Sequence, residues 1–220
     1  MQVAVIANGE WDLEWGREEL RNRPIDILIA ADGGGDLALK VGRIPDVLIG
    51  DLDSISEESF KICQNNNTKI KKFPKEKDET DLELALEFAE TYLQAYGRQE
   101  DEILLYAAGG KRLDHLLGNI ALLLGYGQKQ RIIKMIDKNY QAWVMMPGTK
   151  IISGQRGQEL SLLPLSEKAL VNSQGLYYEL KDLTLFQNSP RGISNVFTQD
   201  CVTITVREGI VLVVLRAKEQ

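Results

Sequence analysis

Short apolar runs alternate with segments of helical periodicity over residues 1–138. The run Asp26–Ala31 is almost unbroken in apolar residues, which is typical of a strand covered on both faces. Leu82–Leu93 repeats apolar residues on one helical face. The alternation predicts an α/β fold with a doubly wound, mostly parallel sheet and helices on both faces. Strands are predicted at Gln2–Ala7, Asp26–Ala31, Asp46–Ile49, Lys69–Phe73, Ile103–Ala108 and Arg131–Ile136, and helices at Asp12–Asn22, Asp36–Val41, Ser56–Asn65, Leu82–Leu93 and Leu113–Leu124.

Residues 139–220 follow a different pattern, in which short apolar runs are separated by glycine and proline. We expect a C-terminal all-β sandwich domain here, with Glu208-Gly209 as a hairpin turn. Its strands are predicted at Gln141–Met146, Lys150–Ile152, Glu159–Leu165, Leu183–Phe186, Cys201–Arg207 and Ile210–Leu215. The chain is therefore expected to form two domains, residues 1–138 and residues 139–220.

The charge and the apolar pattern exclude several classes of protein. The formal net charge is −6 and no Lys/Arg run exceeds a few residues, which argues against a general nucleic-acid-binding protein. No apolar run approaches the ~18 residues of a membrane span, and the N-terminus lacks the basic flank of a signal peptide. Cys63 and Cys201 lie far apart and are expected to be reduced thiols. We therefore expect a cytoplasmic protein that binds neither nucleic acid nor membrane.

Asp51 and Asp53 lie just past a predicted strand and are separated by one apolar residue. Ligands of open α/β sheets bind beyond the carboxyl ends of the strands. Two carboxylates at this spacing can converge on one hard cation such as Mg²⁺, while Leu52 points back to the core. The simpler alternative is a solvated turn.

Residues 75–81 form a second polar cluster after a predicted strand. Thr80 and Glu83 have the capping-box spacing ahead of an apolar helix, which accounts for Thr80 and for part of the acidity. Asp81 is free to join the two carboxylates above. Lys77 and Asp78 also remain, and Lys77 is expected either to contact a phosphate or to be solvated.

The third cluster spans residues 109–115. Gly109 and Gly110 would let main-chain N–H groups approach an anion at the start of the next helix. Arg112 has the planar donor geometry for a two-pronged phosphate contact. Asp114 would lie in the first helical turn, where capping is the simpler role. His115 is the only histidine in the chain, and we expect it to bind or pack rather than to act as a general base.

Asp32 and the run Gly33–Gly35 follow the second predicted strand, and Asn8 follows the first. Gly33–Ala38 fits the loose pattern G-x-G-x-x-A, so a dinucleotide-binding site is an alternative. The match lies on the second strand rather than the first, and the acids that follow come as a metal-like pair. No phosphate-binding G-x-x-x-x-G-K-[ST] loop is present. Four polar clusters at strand ends favour one shared phosphate–metal site.

Taken together, these segments resemble the ordered motifs of the thiamine pyrophosphokinase family over nearly the whole chain. The similar segments are Ala31-Asp32-Gly33-Gly34, Gly50-Asp51-Leu52-Asp53-Ser54, Lys77-Asp78-Glu79-Thr80-Asp81, Gly109-Gly110-Lys111-Arg112-Leu113-Asp114-His115, Gly175-Leu176-Tyr177-Tyr178-Glu179-Leu180 and Ser194-Asn195. Two positions depart from the family pattern: Gly192 stands where the S-x-S-N segment begins with serine, and Tyr177 stands where lysine is common in the GLKW/Y segment.

The resemblance implies a reaction in which ATP and thiamine give AMP and thiamine diphosphate. It implies a homodimer, with thiamine bound between the α/β domain of one subunit and the β domain of the other. It also implies that residues 1–138 bind ATP and Mg²⁺ and that residues 139–220 bind thiamine. The expected magnesium ligands are Asp51, Asp53 and Asp81, and the expected catalytic set adds Lys77, Arg112 and Asp114. The expected binding set is Asn8, Asp32, Gly33, Gly34, Asp78, Thr80, Gly109, Gly110, His115, Ser194 and Asn195.

The sequence leaves alternatives open for the role of three aromatic residues and for the function of the chain. Tyr177, Tyr178 and Phe197 are expected either to stack on the thiamine rings or to belong to the β-sandwich core. A dinucleotide-binding enzyme built on Gly33–Ala38 is one alternative function. A non-catalytic module that senses a nucleotide or a vitamin is the other.

Overall fold

The computed structural model describes residues 1–98, 100–110 and 112–217, and these fall into two compact units. The first unit comprises Met1–Leu122 and Arg131–Lys138. The second comprises Leu123–Gln130 and the chain from Asn139 onward. The assignment of ATP binding to residues 1–138 and thiamine binding to residues 139–220 stays a prediction.

The first unit contains a parallel sheet in the order β6-β5-β1-β2-β3-β4. Its elements alternate strictly along the chain, as predicted, and the predicted fold class is confirmed. They are β1 (Val3–Ile6), α1 (Leu13–Asn22), β2 (Ile27–Ala31), α2 (Gly34–Lys40), β3 (Val47–Gly50), α3 (Glu57–Asn65), β4 (Lys69–Lys72), α4 (Asp81–Tyr96), β5 (Ile103–Tyr106), α5 (Leu113–Gln128) and β6 (Ile133–Ile136). Helix α5 runs four residues beyond its predicted end, and its last turns belong to the second unit.

Burial explains why the central strands were readable in the sequence. Every residue of β1, β2, β3 and β5 is buried, so these strands are continuous apolar runs. Helices are placed by their caps: Asp12 caps α1, Ser56 caps α3, and Thr80 with Glu83 forms a capping box on α4. The chain proceeds from β1 outward to β4 and then returns to the other side of β1 with β5. Strand order therefore reverses beside β1, where open α/β sheets bind their ligands.

From Asn139 onward the second unit is built of antiparallel strands, which confirms the all-β architecture predicted for this part of the chain. Its strands form two arrays, β12-β9-β14-β7 and β11-β10-β13-β8. They are β7 (Tyr140–Met145), β8 (Gly148–Ser153), β9 (Glu159–Pro164), β10 (Lys168–Gln174), β11 (Leu183–Phe186), β12 (Asn195–Val196), β13 (Cys201–Glu208) and β14 (Val211–Arg216). Alternate residues of β10 and β13 are buried, as in a sheet with one covered face.

Three details of this unit differ from the sequence-based expectation, and one is the two-residue strand β12, which was not predicted. The predicted hairpin at Glu208-Gly209 is wrong, because β13 and β14 belong to different arrays and the turn links the two. Strand β10 was missed because its inward positions include a polar residue, Ser173. Ser173 is nevertheless 4% exposed, and its hydroxyl accepts a hydrogen bond from the N–H of Leu180 (2.9 Å).

Among the described residues, no helix combines the length and the apolar composition needed to cross a membrane.

Candidate active site

Three carboxylates converge where β2 and β3 end. Asp32 follows β2, and Asp51 and Asp53 follow β3. One carboxylate oxygen from each lies within 4.8 Å of the others. Asp32 is buried, Asp51 is half-buried and Asp53 is exposed. Oxygen atoms at this separation can bind one hard divalent cation.

The backbone at the two strand ends adopts conformations that L-residues seldom use. Gly50 has φ 147°, Leu52 has φ 66° and Asp32 has φ 45°. The left-handed conformation at Leu52 lies between the two aspartates, and the Leu52 side chain packs against the cluster of Ala30, Leu48 and Cys63, as predicted. Such strain persists where the surrounding structure holds it, and it concentrates at functional sites.

Main-chain N–H groups tie the carboxylates to one another. The N–H of Asp53 donates to Oδ1 of Asp51 (3.1 Å), and the N–H of Ser54 donates to Oδ1 of Asp32 (3.2 Å). The Ser54 hydroxyl donates to Oδ1 of Asp53 (3.1 Å). The acidic turn is therefore an ordered hydrogen-bonded structure rather than a freely solvated one.

Asp81 and Lys77 lie beside this group. The N–H of Asp51 donates to Oδ1 of Asp81 (3.3 Å), and Nζ of Lys77 lies 3.0 Å from Asp81 and 3.7 Å from Asp51. The Lys77 side chain is 11% exposed, so the interpretation as a solvated lysine is wrong. Burial by itself would lower the pKa of Lys77, but its hydrogen bond to Asp81 and the nearby carboxylates raise that pKa. Lys77 is thus a fixed positive charge.

The sequence-based metal set, Asp51, Asp53 and Asp81, overlaps the geometric cluster without matching it. The oxygens that converge belong to Asp32, Asp51 and Asp53, whereas Asp81 contacts Asp51 and pairs with Lys77. Sequence reasoning placed Asp32 among the binding residues and missed this proximity. The proximity arises because Asp32 follows β2, which pairs with β3, and this is a property of the sheet order rather than of the local sequence.

The loops after β1, β2 and β5 approach one another so closely that several of their glycines have no room for a Cβ. A Cβ on Gly33 would lie 2.4 Å from Oδ1 of Asn8, and one on Gly9 would lie 2.2 Å from the carbonyl oxygen of Gly109. A Cβ on Gly34 would lie 2.3 Å from the carbonyl oxygen of Ile6. The glycine run after β2 thus has a packing reason that requires no dinucleotide. It brings Asn8 and Gly33 together at the edge where the carboxylates lie.

In the third predicted cluster, Arg112, Asp114 and His115 are exposed. Arg112 donates from Nε and Nη2 to the two carboxylate oxygens of Asp114 (2.9 and 2.6 Å), a bidentate ion pair. This pairing holds the pKa of Asp114 well below its usual range. His115 is exposed, so it does not pack in the core of this chain, and its binding role stays a prediction. Asp78 is also exposed, and Gly110 has φ 141°; Lys111 lies outside the described residues.

In the second unit, the predicted binding residues position an aromatic pair. Asn195 is 7% exposed; its Oδ1 accepts from the N–H of Tyr178 (3.0 Å) and its Nδ2 donates to the carbonyl of Tyr178 (2.7 Å). Tyr177 and Tyr178 are 69% and 66% exposed, with ring centroids 4.9 Å apart in an edge-on arrangement. A core role for these two tyrosines is wrong, whereas Phe197 is buried in the core. The N–H of Ser194 donates to Oγ of Ser161 (3.0 Å).

The departure at Gly192 has a steric reason. A Cβ at this position would lie 2.0 Å from the carbonyl oxygen of Leu162, and the Gly192 carbonyl accepts from the N–H of Leu162 (2.8 Å). Serine therefore does not fit the backbone found here.

A doubly wound sheet with three carboxylates and a largely buried lysine at its strand ends is an arrangement that can hold a divalent cation and a phosphate group. Residues 20–136 match the family model of the thiamin pyrophosphokinase catalytic domain, and residues 149–211 match that of the thiamin pyrophosphokinase vitamin B1 binding domain. The chain belongs to the thiamine pyrophosphokinase family. The resemblance in the motifs is thereby confirmed, and the dinucleotide-binding alternative is not favoured.

Individual relatives agree with this assignment. Thiamine pyrophosphokinase from Bacillus subtilis is 32% identical over 189 residues, which cover 84% of this chain and 85% of the relative. Thiamine pyrophosphokinase 1 from Oryza sativa is 25% identical, covering 88% of this chain and 77% of the relative. The crystal structure of the B. subtilis enzyme superposes with a TM-score of 0.85 at 26% identity over all of both chains. That of thiamin pyrophosphokinase from Geobacillus thermodenitrificans gives 0.81 at 27% identity, covering 100% of this chain and 99% of the other.

Proposed function

We propose that this chain transfers the pyrophosphoryl group of ATP to the hydroxyl of thiamine, giving AMP and thiamine diphosphate. The observation that carries the proposal is the convergence of Asp32, Asp51 and Asp53 within 4.8 Å at the strand ends of a thiamine pyrophosphokinase fold. Transfer of this kind needs little covalent help from the protein, because positioning and charge neutralisation dominate.

Mg²⁺ is the metal that suits this donor set. Mg²⁺ prefers carboxylate oxygens, and it needs few of them because it retains water and binds phosphate oxygens. We propose Asp51 and Asp53 as two of the magnesium ligands. Two candidates exist for a third ligand: the family motif indicates Asp81, and the geometry indicates Asp32. When bound, the ion would offset the negative charge of the polyphosphate.

The positive side chains of the first unit are the proposed phosphate contacts. Lys77 is held between two carboxylates and keeps its charge. Arg112 donates two parallel hydrogen bonds from its planar guanidinium group to Asp114, and a phosphate group can accept the same two hydrogen bonds. Exchanging Asp114 for phosphate is inexpensive, because both side chains are about two-thirds exposed.

The exposed aromatic pair is the proposed contact for thiamine. The thiazolium of thiamine carries a fixed positive charge, and aromatic faces attract cations. Tyr177 and Tyr178 are exposed on a loop that Asn195 anchors through two hydrogen bonds. In this proposal Asn195 acts by placing the tyrosines, and its own side chain is occupied by the main chain of Tyr178.

We also propose a homodimer, for which the start of α5 offers a surface. Leu113 and Leu117 are 65% and 57% exposed, Ala121 is exposed, and a Cβ on Gly118 would meet nothing within 4 Å. The apolar stripe predicted on this helix therefore points in part to solvent, and such stripes are commonly covered by a partner. Analytical ultracentrifugation should find a dimer that Leu117→Glu converts to monomers. Tyr96→Glu, at an exposed aromatic on α4, should leave it intact; a monomeric unmutated protein would contradict the proposal.

Product analysis tests the catalytic proposal. Purified protein is incubated with ATP, Mg²⁺ and thiamine, and nucleotides and thiamine esters are separated by chromatography. We expect AMP and thiamine diphosphate in equal amounts. ADP with thiamine monophosphate would indicate transfer of a single phosphoryl group instead. Ligand binding without any product would support the sensing module.

A further inference from the structure

The three aspartates of the sequence-based metal set, Asp51, Asp53 and Asp81, each already form an ion pair with a lysine. Nζ of Lys75 lies 2.5 Å from Oδ2 of Asp53, and Nζ of Lys77 lies 3.0 Å from Asp81 and 3.7 Å from Asp51. Both lysines belong to residues 73–80, the connection between β4 and α4. A metal ion and an ammonium group compete for the same carboxylate lone pairs and repel each other.

The two lysines are held differently. Lys77 is 11% exposed, and its Nζ also donates to the carbonyl of Pro74 (3.2 Å), so two ion pairs and one hydrogen bond hold it. Lys75 is 77% exposed, and among the described residues Asp53 is its single hydrogen-bond and ion-pair partner. Exposed ion pairs contribute little stability and exchange partners readily. A flexible four-carbon stem allows Lys75 to leave Asp53 without rearrangement of the backbone.

We propose that Lys75 is a positioning residue that serves as a resident counter-ion of Asp53 and makes entry of the divalent cation depend on the nucleotide. Without nucleotide, its ammonium group competes with the cation for Asp53. When a polyphosphate binds, phosphate oxygens offer the ammonium group another partner, and Asp53 is released to the cation. This inference rests on the proposed function and concerns the order in which metal and nucleotide occupy the same site.

The test measures metal binding instead of turnover. Mn²⁺ is titrated into the purified protein without nucleotide, and free Mn²⁺ is quantified by electron paramagnetic resonance. Lys75→Met should bind Mn²⁺ roughly two- to fivefold more tightly than the unmutated protein, the range expected from losing one exposed ion pair. With a non-hydrolysable ATP analogue present, the gain in Mn²⁺ affinity that the nucleotide provides should shrink by the same factor. Lys75→Arg should restore the original behaviour.

Lys72→Met is the matched control. Lys72 is exposed, lies opposite Gly50 in the sheet, and makes no ion pair within the described part of the chain. The Lys72→Met substitution removes one positive charge close to the same carboxylates and should leave the Mn²⁺ affinity unchanged. Equal Mn²⁺ affinities of Lys75→Met and the unmutated protein would overturn the inference, as would a gain of the same size in Lys72→Met. Failure of the unmutated protein to bind Mn²⁺ even with the analogue would instead overturn the proposed metal site.

Discussion

Gly50 governs how closely the acids of the site approach one another. It ends β3 with φ 147°, and a Cβ there would lie 3.0 Å from Cγ and Oδ1 of Asp81 and 3.1 Å from Cβ of Asp32. Carbon atoms in contact sit about 3.5–4.0 Å apart, so an added methyl group must displace at least one aspartate by roughly half an ångström. Gly50→Ala therefore perturbs the backbone and the carboxylates together.

Both effects have predictable sizes. Holding an alanine in a conformation reserved for glycine costs roughly 1–3 kcal/mol. For a chain of this length each kcal/mol lowers Tm by about 2–4 °C. Misplacing a catalytic group by a fraction of an ångström to 1 Å costs up to about 100-fold in rate. We expect Gly50→Ala to lose several degrees in Tm and roughly 10- to 100-fold in AMP formation at saturating Mg²⁺.

Gly42→Ala separates strain from displacement. Gly42 has φ 81°, and a Cβ there would meet nothing within 4 Å. It should lose about 1–2 kcal/mol of stability and keep its activity. The assay compares thermal unfolding and AMP formation for both variants. If Gly50→Ala retained the activity of Gly42→Ala at equal loss of Tm, the reasoning about carboxylate placement would be refuted.

Three further predictions concern stability. Arg131→Met should lower the free energy of unfolding in urea by about 3–5 kcal/mol, because it strands Glu90, whose Oε2 accepts from the buried guanidinium (2.6 Å); a change below about 1 kcal/mol would refute this. Burial, and then the nearby Glu19, raise the pKa of Tyr106 well above its usual value. The neutral phenol therefore stabilises the folded state below about pH 10, and this contribution to the free energy of unfolding is lost as pH rises further. Tyr106→Phe should therefore lose less stability than the unmutated protein between about pH 8 and pH 11, measured by urea unfolding; identical losses would count against it. Thr80→Ala should cost about 1 kcal/mol by removing the α4 cap, while Thr80→Ser should not.

Much of the fold was predictable because strand burial and helix capping determine which residues occur within a single segment of the sequence. The central strands are apolar throughout because both faces are covered, and the caps of α1, α3 and α4 lie beside the residues they cap. Strand β10 and the connection at Glu208-Gly209 were not predictable in this way. The first depends on a partner for Ser173, and the second on which sheet each strand joins.

In the candidate active site as well, some features were predictable from the local sequence and others depend on the tertiary structure. The positions of Asp51 and Asp53 follow from the rule that ligands bind at strand ends, and both belong to the set of motifs that resembles the family. The closeness of Asp32 depends on β2 lying next to β3, which is a property of the sheet order. Likewise, the burial of Lys77 and the exposure of Tyr177 depend on packing between segments distant in the sequence. Those features need the three-dimensional structure.

The central claim is that the carboxylates after β2 and β3 bind the ion that accompanies the polyphosphate. Its most direct test is the initial rate of AMP formation by Asp51→Asn at saturating ATP, Mg²⁺ and thiamine, with circular dichroism to verify folding. Asparagine keeps the shape of the side chain and removes its charge, so we predict a folded protein whose rate falls roughly 100-fold or more. A folded variant with a rate within a few-fold of the unmutated protein would contradict the claim.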